Sequence, residues 1–121
     1  MEVKIDKDNY QQMVVENPMP TVVDFWGPQC VRCLDLMPVM EALAEANKAG
    51  MRLIKIDASQ NRRLCMGLRL LSLPAFLFYR GGQEVDRLSG NNVSEAELRE
   101  AVARFLNSSA PDVSRTGGDS A

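Results

Sequence analysis

The sequence predicts an α/β fold in which helices cover both faces of one mixed central β-sheet. Runs rich in β-branched and aromatic residues alternate along the chain with segments of helical periodicity. The two strongest strand candidates, residues 21–26 and 73–79, are apolar on both faces, as are strands of a sheet that is covered on both sides. Such alternation gives a layered α/β domain with right-handed crossover connections.

The length of the chain suits one domain. Its 121 residues are enough for a substantial core, and 45% hydrophobic with 25% charged residues is ordinary for a globular protein. We place the domain at residues 1–107. Residues 108–121 are mostly small and polar and have no apolar periodicity, so we expect them to form a disordered tail.

The first half of the domain begins with a strand, a helix and a second strand. Residues 1–5 alternate in polarity and are a candidate edge strand, and Asp6 can cap a helix over residues 7–15. The breakers of NPMP end that helix. Residues 21–26 (TVVDFW) then form the first buried strand, in which Asp24 is the one charged residue.

A long helix is predicted from about Cys30 to Lys48, with Pro38 inside it and Gly50 as the stop. The apolar residues that recur along it at spacings of three and four, and are therefore expected to face the core, are Leu34, Met37, Met40, Leu43 and Ala44.

The second half of the domain adds three strands and two helices. Residues 51–57, 73–79 and 84–90 are strand candidates, and the turn sequence RGGQ joins the last two as a hairpin. A short helix is predicted at 61–68 and a final helix at 94–106. The capping-box pair and the core stripe of the final helix are Ser94 with Glu97, and Leu98, Val102 and Phe105.

Two of the three cysteines lie in the segment WGPQCVRCLDLMP, where the first buried strand meets the long helix. Cys30 and Cys33 fit a redox couple, half of a zinc site, or two ordinary cysteines at a helix start. A closed zinc site needs four Cys or His ligands. The chain has no His and only Cys65 besides the pair, so zinc would need a carboxylate ligand or a second chain. Cys65 fits a small buried side chain, with a regulatory thiol as the alternative.

The position of the pair favours redox chemistry. Unpaired N–H groups and the positive dipole end of the helix would face the Cys30 sulfur, and Arg32 adds a full positive charge. Both effects lower the pKa of a thiol, and the thiolate is the reactive form. Cys33 lies one helical turn later on the same face, at a separation compatible with a disulfide. Cys30 would be the attacking and Cys33 the resolving cysteine.

Asp24 is a single carboxylate in an apolar strand, six residues before Cys30. If it is buried, its pKa is raised and it can act as a proton relay for Cys33. The alternative is an aspartate at a strand end that reaches solvent.

Charge and hydropathy argue against two classes of partner. The net charge of −2 and the lack of a basic tract show no bias toward nucleic acid or anionic membrane surfaces. No segment is apolar over a length that spans a bilayer, and the N-terminus has no signal-peptide pattern. We therefore expect the protein in the reducing cytoplasm, where a CxxC pair is more often catalytic or metal-binding than structural. A monomer is the default expectation for its oligomeric state.

The segment VVDFWGPQCVRCLDLMPVMEALA resembles the active-site region of thioredoxin, whose common form runs VDFWAxWCGPCK followed by a helical proline. The resemblance continues through LIKIDASQN and LLSLPAFLFYRGGQEVDRLSG and covers roughly residues 3–107. It implies the thioredoxin fold and a dithiol–disulfide oxidoreductase without a bound cofactor. It also implies two kinds of partner, disulfide-containing proteins and a flavin- or ferredoxin-linked thioredoxin reductase.

The resemblance assigns roles by position. Cys30 matches the nucleophile, Cys33 the resolving cysteine and Asp24 the buried acid that assists it. The residues that match the substrate side of the family's active site are Trp26, Leu73, a cis Pro74 and Gly90. In the family, the backbone of the residue before the cis-proline pairs with an extended substrate segment, which is a form of strand addition.

The sequence also departs from the family pattern. Val31-Arg32 replaces Gly-Pro between the cysteines, which predicts a more stable thiolate and a less reducing couple than that of ordinary thioredoxins. Gln29 replaces a tryptophan, and Ala75 a threonine. Leu53 stands where the family has a lysine beside the buried acid, so we expect Asp24 to lack a charge partner and to have a still higher pKa.

The sequence therefore predicts a protein-disulfide reductase that works through Cys30 and Cys33. One alternative is a binding module that keeps the fold but not the redox activity, which the altered dipeptide and Gln29 would suit. Another is a disulfide oxidase or isomerase with a less reducing couple, which Arg32 would suit.

Overall fold

The computed structural model describes residues 4–107 and contains a four-stranded sheet. The strands are β1 (Thr21–Trp26), β2 (Arg52–Asp57), β3 (Ala75–Arg80) and β4 (Gln83–Ser89), in the order β2-β1-β3-β4. β1 pairs with β2 in parallel and with β3 in antiparallel orientation, and β3 and β4 form an antiparallel hairpin. The sheet is mixed, as the sequence predicted, and its two most apolar strands, β1 and β3, lie in its centre.

Helices cover both faces of this sheet. They are α1 (Val31–Ala46), α2 (Arg62–Gly67) and α3 (Glu95–Asn107), together with a π-helical turn at Gln11–Val15 and a 3₁₀ turn at Ala58–Gln60. Within the part of the chain that the structure describes, no helix is long and apolar enough to cross a membrane.

Two apolar clusters fill the space between the sheet and its helices. Alternate residues of a strand point to opposite faces, so β1 contributes Val22 to one cluster and Val23 and Phe25 to the other. The first cluster packs β1 and β3 against α1 and α3, and its helical members include Leu36, Met40, Leu98, Val102 and Phe105. The second packs the other face against the π-helical turn and α2, and its members include Tyr10, Val14, Ile56, Leu64 and Tyr79.

Polar side chains fix the element ends that the sequence indicated. Asp6 Oδ1 accepts from the backbone N–H groups of Asp8 and Asn9, at 2.9 and 3.2 Å, ahead of the π-helical turn. Ser94 and Glu97 form the capping box of α3, because the N–H of Ser94 donates to Glu97 Oε1 and that of Glu97 donates to Ser94 Oγ.

Four expectations need correction or fall outside the structure. The predicted strand over residues 1–5 lies partly outside the described residues, and Lys4 and Ile5 are not in a strand. The predicted helix over 7–15 is a turn followed by a π-helical turn. Leu34 is 47% exposed rather than in the core, because the buried face of α1 is formed by Cys33, Leu36 and Met40. The predicted tail, 108–121, lies outside the described residues.

Candidate active site

Cys30 and Cys33 are joined by a disulfide at the start of α1. Their Cα atoms are 5.2 Å apart, a separation that one helical turn supplies without backbone distortion. Cys30 is half-buried at the N-cap position, in extended conformation, whereas Cys33 is only 1% exposed. The two sulfurs therefore differ in access, and an incoming molecule can reach only that of Cys30.

The N-terminus of α1 points hydrogen-bond donors at the outer cysteine. The backbone N–H of Cys33 donates to Cys30 Sγ at 3.1 Å. The first N–H groups of a helix have no partner within the helix, and they stabilise negative charge placed at its N-terminus. When the disulfide is reduced, this geometry favours the Cys30 thiolate over the thiol. Arg32 lies in the same first turn, half-buried.

Asp24 is buried below this helix, which rules out the alternative of a strand-end aspartate in solvent. Its side chain lies on the same face of the sheet as Val22, the face that α1 covers. It is 1% exposed, and neither carboxylate oxygen has a hydrogen-bond partner among residues 4–107. Burial disfavours the charged form and raises the pKa of Asp24 from 3.8 to about 7.

The expectation that Asp24 lacks a charge partner is wrong. Lys55 of β2 is in register with Asp24 of β1, and in a parallel pair such residues point to the same face. The Lys55 ammonium binds the Glu41 carboxylate of α1. Lys55 lowers the pKa of Asp24 and Glu41 raises it, so the two charges oppose one another, and burial still dominates.

The loop before β3 carries the proline that the resemblance matched to the family's cis-proline. The Leu73–Pro74 peptide bond is cis. The carbonyl of Pro74 accepts a hydrogen bond from the backbone N–H of Gly90 at 3.0 Å, and Gly90 has φ 109°, which favours glycine. Among residues 4–107, neither the backbone N–H nor the backbone C=O of Leu73 forms a hydrogen bond to another backbone group. Both are therefore free to pair with an added strand.

Leu73 is linked to the cysteines through Gly27. A methyl group added to Gly27 would lie 3.3 Å from Leu73 Cδ1, and the carbonyl of Gly27 accepts from the N–H of Cys30. Any side chain larger than hydrogen at position 27 would push against Leu73. The Leu73 side chain therefore packs next to Gly27, in the segment that leads to the disulfide.

Trp26 ends β1 and lies half-buried on a different part of the surface. It lines an open cleft along β2, together with Met37 and Ile56. Gln29, which replaces the family's tryptophan, is exposed next to Cys30. The structure thus brings Leu73, Pro74 and Gly90 together, and it places Trp26 at the end of the strand that leads to the cysteines.

The remaining cysteine stands apart from the disulfide. Cys65 is a free thiol, half-buried on α2 against the second apolar cluster, and burial raises its pKa. Within residues 4–107 no group of three or more Cys, Asp or Glu side chains is placed to hold a metal ion.

The Lys55–Glu41 pair was not predicted from the sequence. The available signal was strand position, because Asp24 and Lys55 are each the fourth residue of a six-residue strand. Parallel pairing of those strands in simple alignment puts the two residues in register. Glu41 had no comparable signal, since its contact with β2 depends on how α1 crosses the sheet.

Comparison with known proteins identifies this arrangement. The sequence model of the thioredoxin family matches residues 1–104. The thioredoxin of Peptoclostridium acidaminophilum is 32% identical over 104 residues, which are 86% of this chain and 94% of that one. The thioredoxin of Acetoanaerobium sticklandii is 28% identical over 103 residues, 85% of this chain and 98% of that one.

A solved structure shows the same fold. The thioredoxin of Fasciola hepatica superposes with a TM-score of 0.66 and 34% sequence identity, over 74% of this chain and 84% of that chain. Thioredoxin-family proteins carry out thiol–disulfide exchange with protein disulfides and generally depend on thioredoxin reductases. With its CxxC disulfide at a helix start, its four-stranded mixed sheet and a family match over most of its length, this chain belongs to the thioredoxin family.

Proposed function

We propose that this protein is a cytoplasmic, monomeric protein-disulfide reductase that works through the Cys30–Cys33 couple. The observation that carries the proposal is the unequal exposure of the two sulfurs, with a half-buried Cys30 at the helix N-terminus and a buried Cys33 one turn later. A reductase needs one sulfur that a protein disulfide can approach and a second that only the first can reach.

The first step is attack by the Cys30 thiolate on a substrate disulfide. A bond forms between Cys30 Sγ and one substrate sulfur, the substrate S–S bond breaks, and the second substrate sulfur leaves as a thiolate. We propose that Arg32 and the N–H of Cys33 stabilise the attacking thiolate. The exposed backbone of Leu73, beside Pro74 and Gly90, would hold the substrate as an added strand.

The second step releases the reduced substrate. Cys33 loses its proton and attacks Cys30 Sγ, the mixed disulfide breaks, and the first substrate sulfur leaves as a thiolate. Asp24 is suited to accept that proton because its pKa of about 7 lies near the pH of the cell and its carboxylate faces the buried side of α1.

The oxidised couple must then be reduced by another protein. We propose a thioredoxin reductase, flavin- or ferredoxin-linked, as the electron donor. A reducing compartment also suits the free thiol of Cys65, which would be prone to oxidation elsewhere.

Trapping tests the two-cysteine mechanism. We expect the Cys33→Ser variant, mixed with a disulfide-containing protein such as insulin, to accumulate a covalent adduct that dithiothreitol releases. The adduct is measured by mass spectrometry under non-reducing conditions. Cys65→Ser is the matched control and should turn over substrate without a trapped species. If Cys33→Ser traps no disulfide protein, the mechanism is wrong and the chain is better described as a binding module.

A second candidate is a disulfide oxidase or isomerase. The observation in its favour is Val31-Arg32 between the cysteines, because a positive charge that stabilises the Cys30 thiolate favours the dithiol. Equilibration of the couple in thiol redox buffers distinguishes the two. A reduction potential at or below about −250 mV, near the roughly −270 mV known for thioredoxins, supports the reductase. A potential above about −200 mV supports the oxidase or isomerase.

A further inference from the structure

An open groove of about 300 Å³ runs between α2 and the loop that leads to Pro74. The apolar side chains that line it include Met66, Leu70, Leu71 and Leu73. Two of them are unusually exposed: Leu71 is 95% and Met66 75% accessible to solvent. Met66 near the end of α2 and Leu71 in the loop after it are exposed apolar side chains along one groove, and such side chains can mark contact with another protein.

The groove is continuous with the place where the substrate strand is expected. Leu73 lines the groove on one side and packs against Gly27 on the other. The carbonyl of Gly27 in turn accepts a hydrogen bond from the backbone N–H of Cys30. A substrate segment that pairs with the backbone of Leu73 while its cysteine reaches Cys30 would therefore carry its flanking residues across Leu71 and Met66.

The charge around the groove is positive. Residues 61–72 contain three arginines and no Asp or Glu, in a chain whose net charge is −2. Arg62 lines the groove, and Arg63 and Arg69 are exposed in the same segment. Among residues 4–107, no carboxylate forms an ion pair with any of the three. An acidic partner would thus meet arginines that are not already neutralised.

We propose that this groove selects protein substrates in which the reacting cysteine is flanked by a large apolar side chain and acidic residues. The inference rests on the proposed reductase function and names the class of substrate for the same site. The apolar side chain would cover Leu71 and Met66, and the acidic residues would pair with Arg62 and its neighbours. Apolar contact supplies affinity, and charge complementarity supplies preference and speed of association.

Short peptides with one cysteine, each linked by a disulfide to 5-thio-2-nitrobenzoate, provide the test. Attack by Cys30 on the peptide sulfur releases the coloured thiolate, and Cys33 then releases the peptide. The first peptide has a Leu and two Glu next to the cysteine. In the second peptide Lys replaces both Glu, and in the third Ser replaces Leu. The protein is reduced beforehand, so each molecule reacts once. We expect the second-order rate constant for release of the coloured thiolate to be about fivefold or more larger for the first peptide than for each of the others, the size of a modest interface contact.

Surface variants then assign the preference to the groove. Leu71→Ser should lower the rate constant for the Leu-containing peptides about fivefold and leave that for the Ser peptide unchanged. With Arg62→Glu, the Lys peptide should react faster than the Glu peptide, the reverse of the wild type. Added salt should reduce the difference between the two rates that the wild type shows. Val85→Ser on β4 and Arg99→Glu on α3 make matched changes outside the groove and should alter neither preference.

Each outcome separates this inference from the proposed function. If all peptides are reduced at equal rates and the variants change nothing, the groove proposal is overturned while the reductase stands. If Leu71→Ser instead abolishes a dimer of this chain seen by sedimentation, the groove is a self-contact and the proposal is overturned. Failure to reduce any of the peptides would overturn both.

Discussion

The two faces of the central sheet each bury polar side chains, but these are hydrogen-bonded on one face and unpaired on the other. On the face covered by α2, the hydroxyls of Tyr10 and Tyr79 form a hydrogen bond of 2.8 Å, with each residue 4% exposed. On the face covered by α1, Asp24 is buried and neither carboxylate oxygen has a partner among residues 4–107. A paired hydroxyl is compatible with a stable core, whereas an unpaired carboxyl destabilises it.

This difference suggests a structural role for the polar pair on the face covered by α2 and a role in the proposed reaction for the carboxyl on the face covered by α1. Proteins retain buried groups that oppose folding where the groups serve function, and the proton transfer that we propose for Asp24 would be such a function. The Tyr10–Tyr79 pair needs no such explanation, because its partners satisfy each other. The comparison can be tested by removing each polar group in turn.

The largest effect is expected at Asp24. Because folding raises the pKa of this carboxyl from 3.8 to about 7, the folded state binds a proton that the unfolded state has lost between these values. The stability of the wild type should therefore fall as pH rises through this window, whereas Asp24→Asn has no such group. Relative to the wild type, Asp24→Asn should gain about 4 kcal/mol between pH 4 and pH 8.

Urea unfolding of the oxidised proteins at several pH values measures this difference. A constant difference between Asp24→Asn and wild type across the pH range would show that Asp24 is ionised in the folded state. The same variant should lose activity, because its amide cannot accept the proton of Cys33. The wild-type rate of insulin reduction should rise through about pH 7, and the variant should be slower without that inflection.

The sequence was sufficient to predict those features of the fold and the site that depend on local pattern. Strand order along the chain, the helix start at Cys30 and the isolation of Asp24 in an apolar run all follow from residue type and period. Lys55 and Glu41 could not be found in that way, since their effect on Asp24 depends on strand register and on the crossing of α1 over β2. The prediction that Leu34 faces the core was wrong for a related reason. Periodicity gives the spacing of a helical stripe, but tertiary contacts decide which of two adjacent stripes is buried.

A smaller effect is expected at the tyrosine pair. Tyr79→Phe removes one hydroxyl and leaves that of Tyr10 buried without its partner, which should lower the free energy of unfolding by about 1–2 kcal/mol. Tyr10→Phe should cost a similar amount. The double variant should cost less than the sum of the two, since replacing both hydroxyls leaves no polar group unsatisfied.

Chemical unfolding at pH 7 of the wild type, both single variants and the double variant gives this cycle. Insulin reduction by all four proteins is the second measurement, and it should be unchanged because the pair lies on the face away from α1. Additive losses of stability, or a loss of activity in either single variant, would contradict the distinction between the two faces.

The smallest effect is expected from the charges above Asp24. Lys55 lowers the pKa of Asp24 and Glu41 raises it, so Lys55→Met should move the titration of Asp24 upward and Glu41→Gln should move it downward. Both side chains are more than 40% exposed, and water screens them, so we expect shifts of roughly half a pH unit. Carbon-13 NMR of the Asp24 carboxyl in the oxidised protein measures each midpoint, with Lys48→Met as a control that changes the same charge outside this pair. Opposite shifts from the two variants would show that Lys55 and Glu41 tune the pKa of Asp24, whereas identical midpoints in all four proteins would leave burial alone to set its proton affinity.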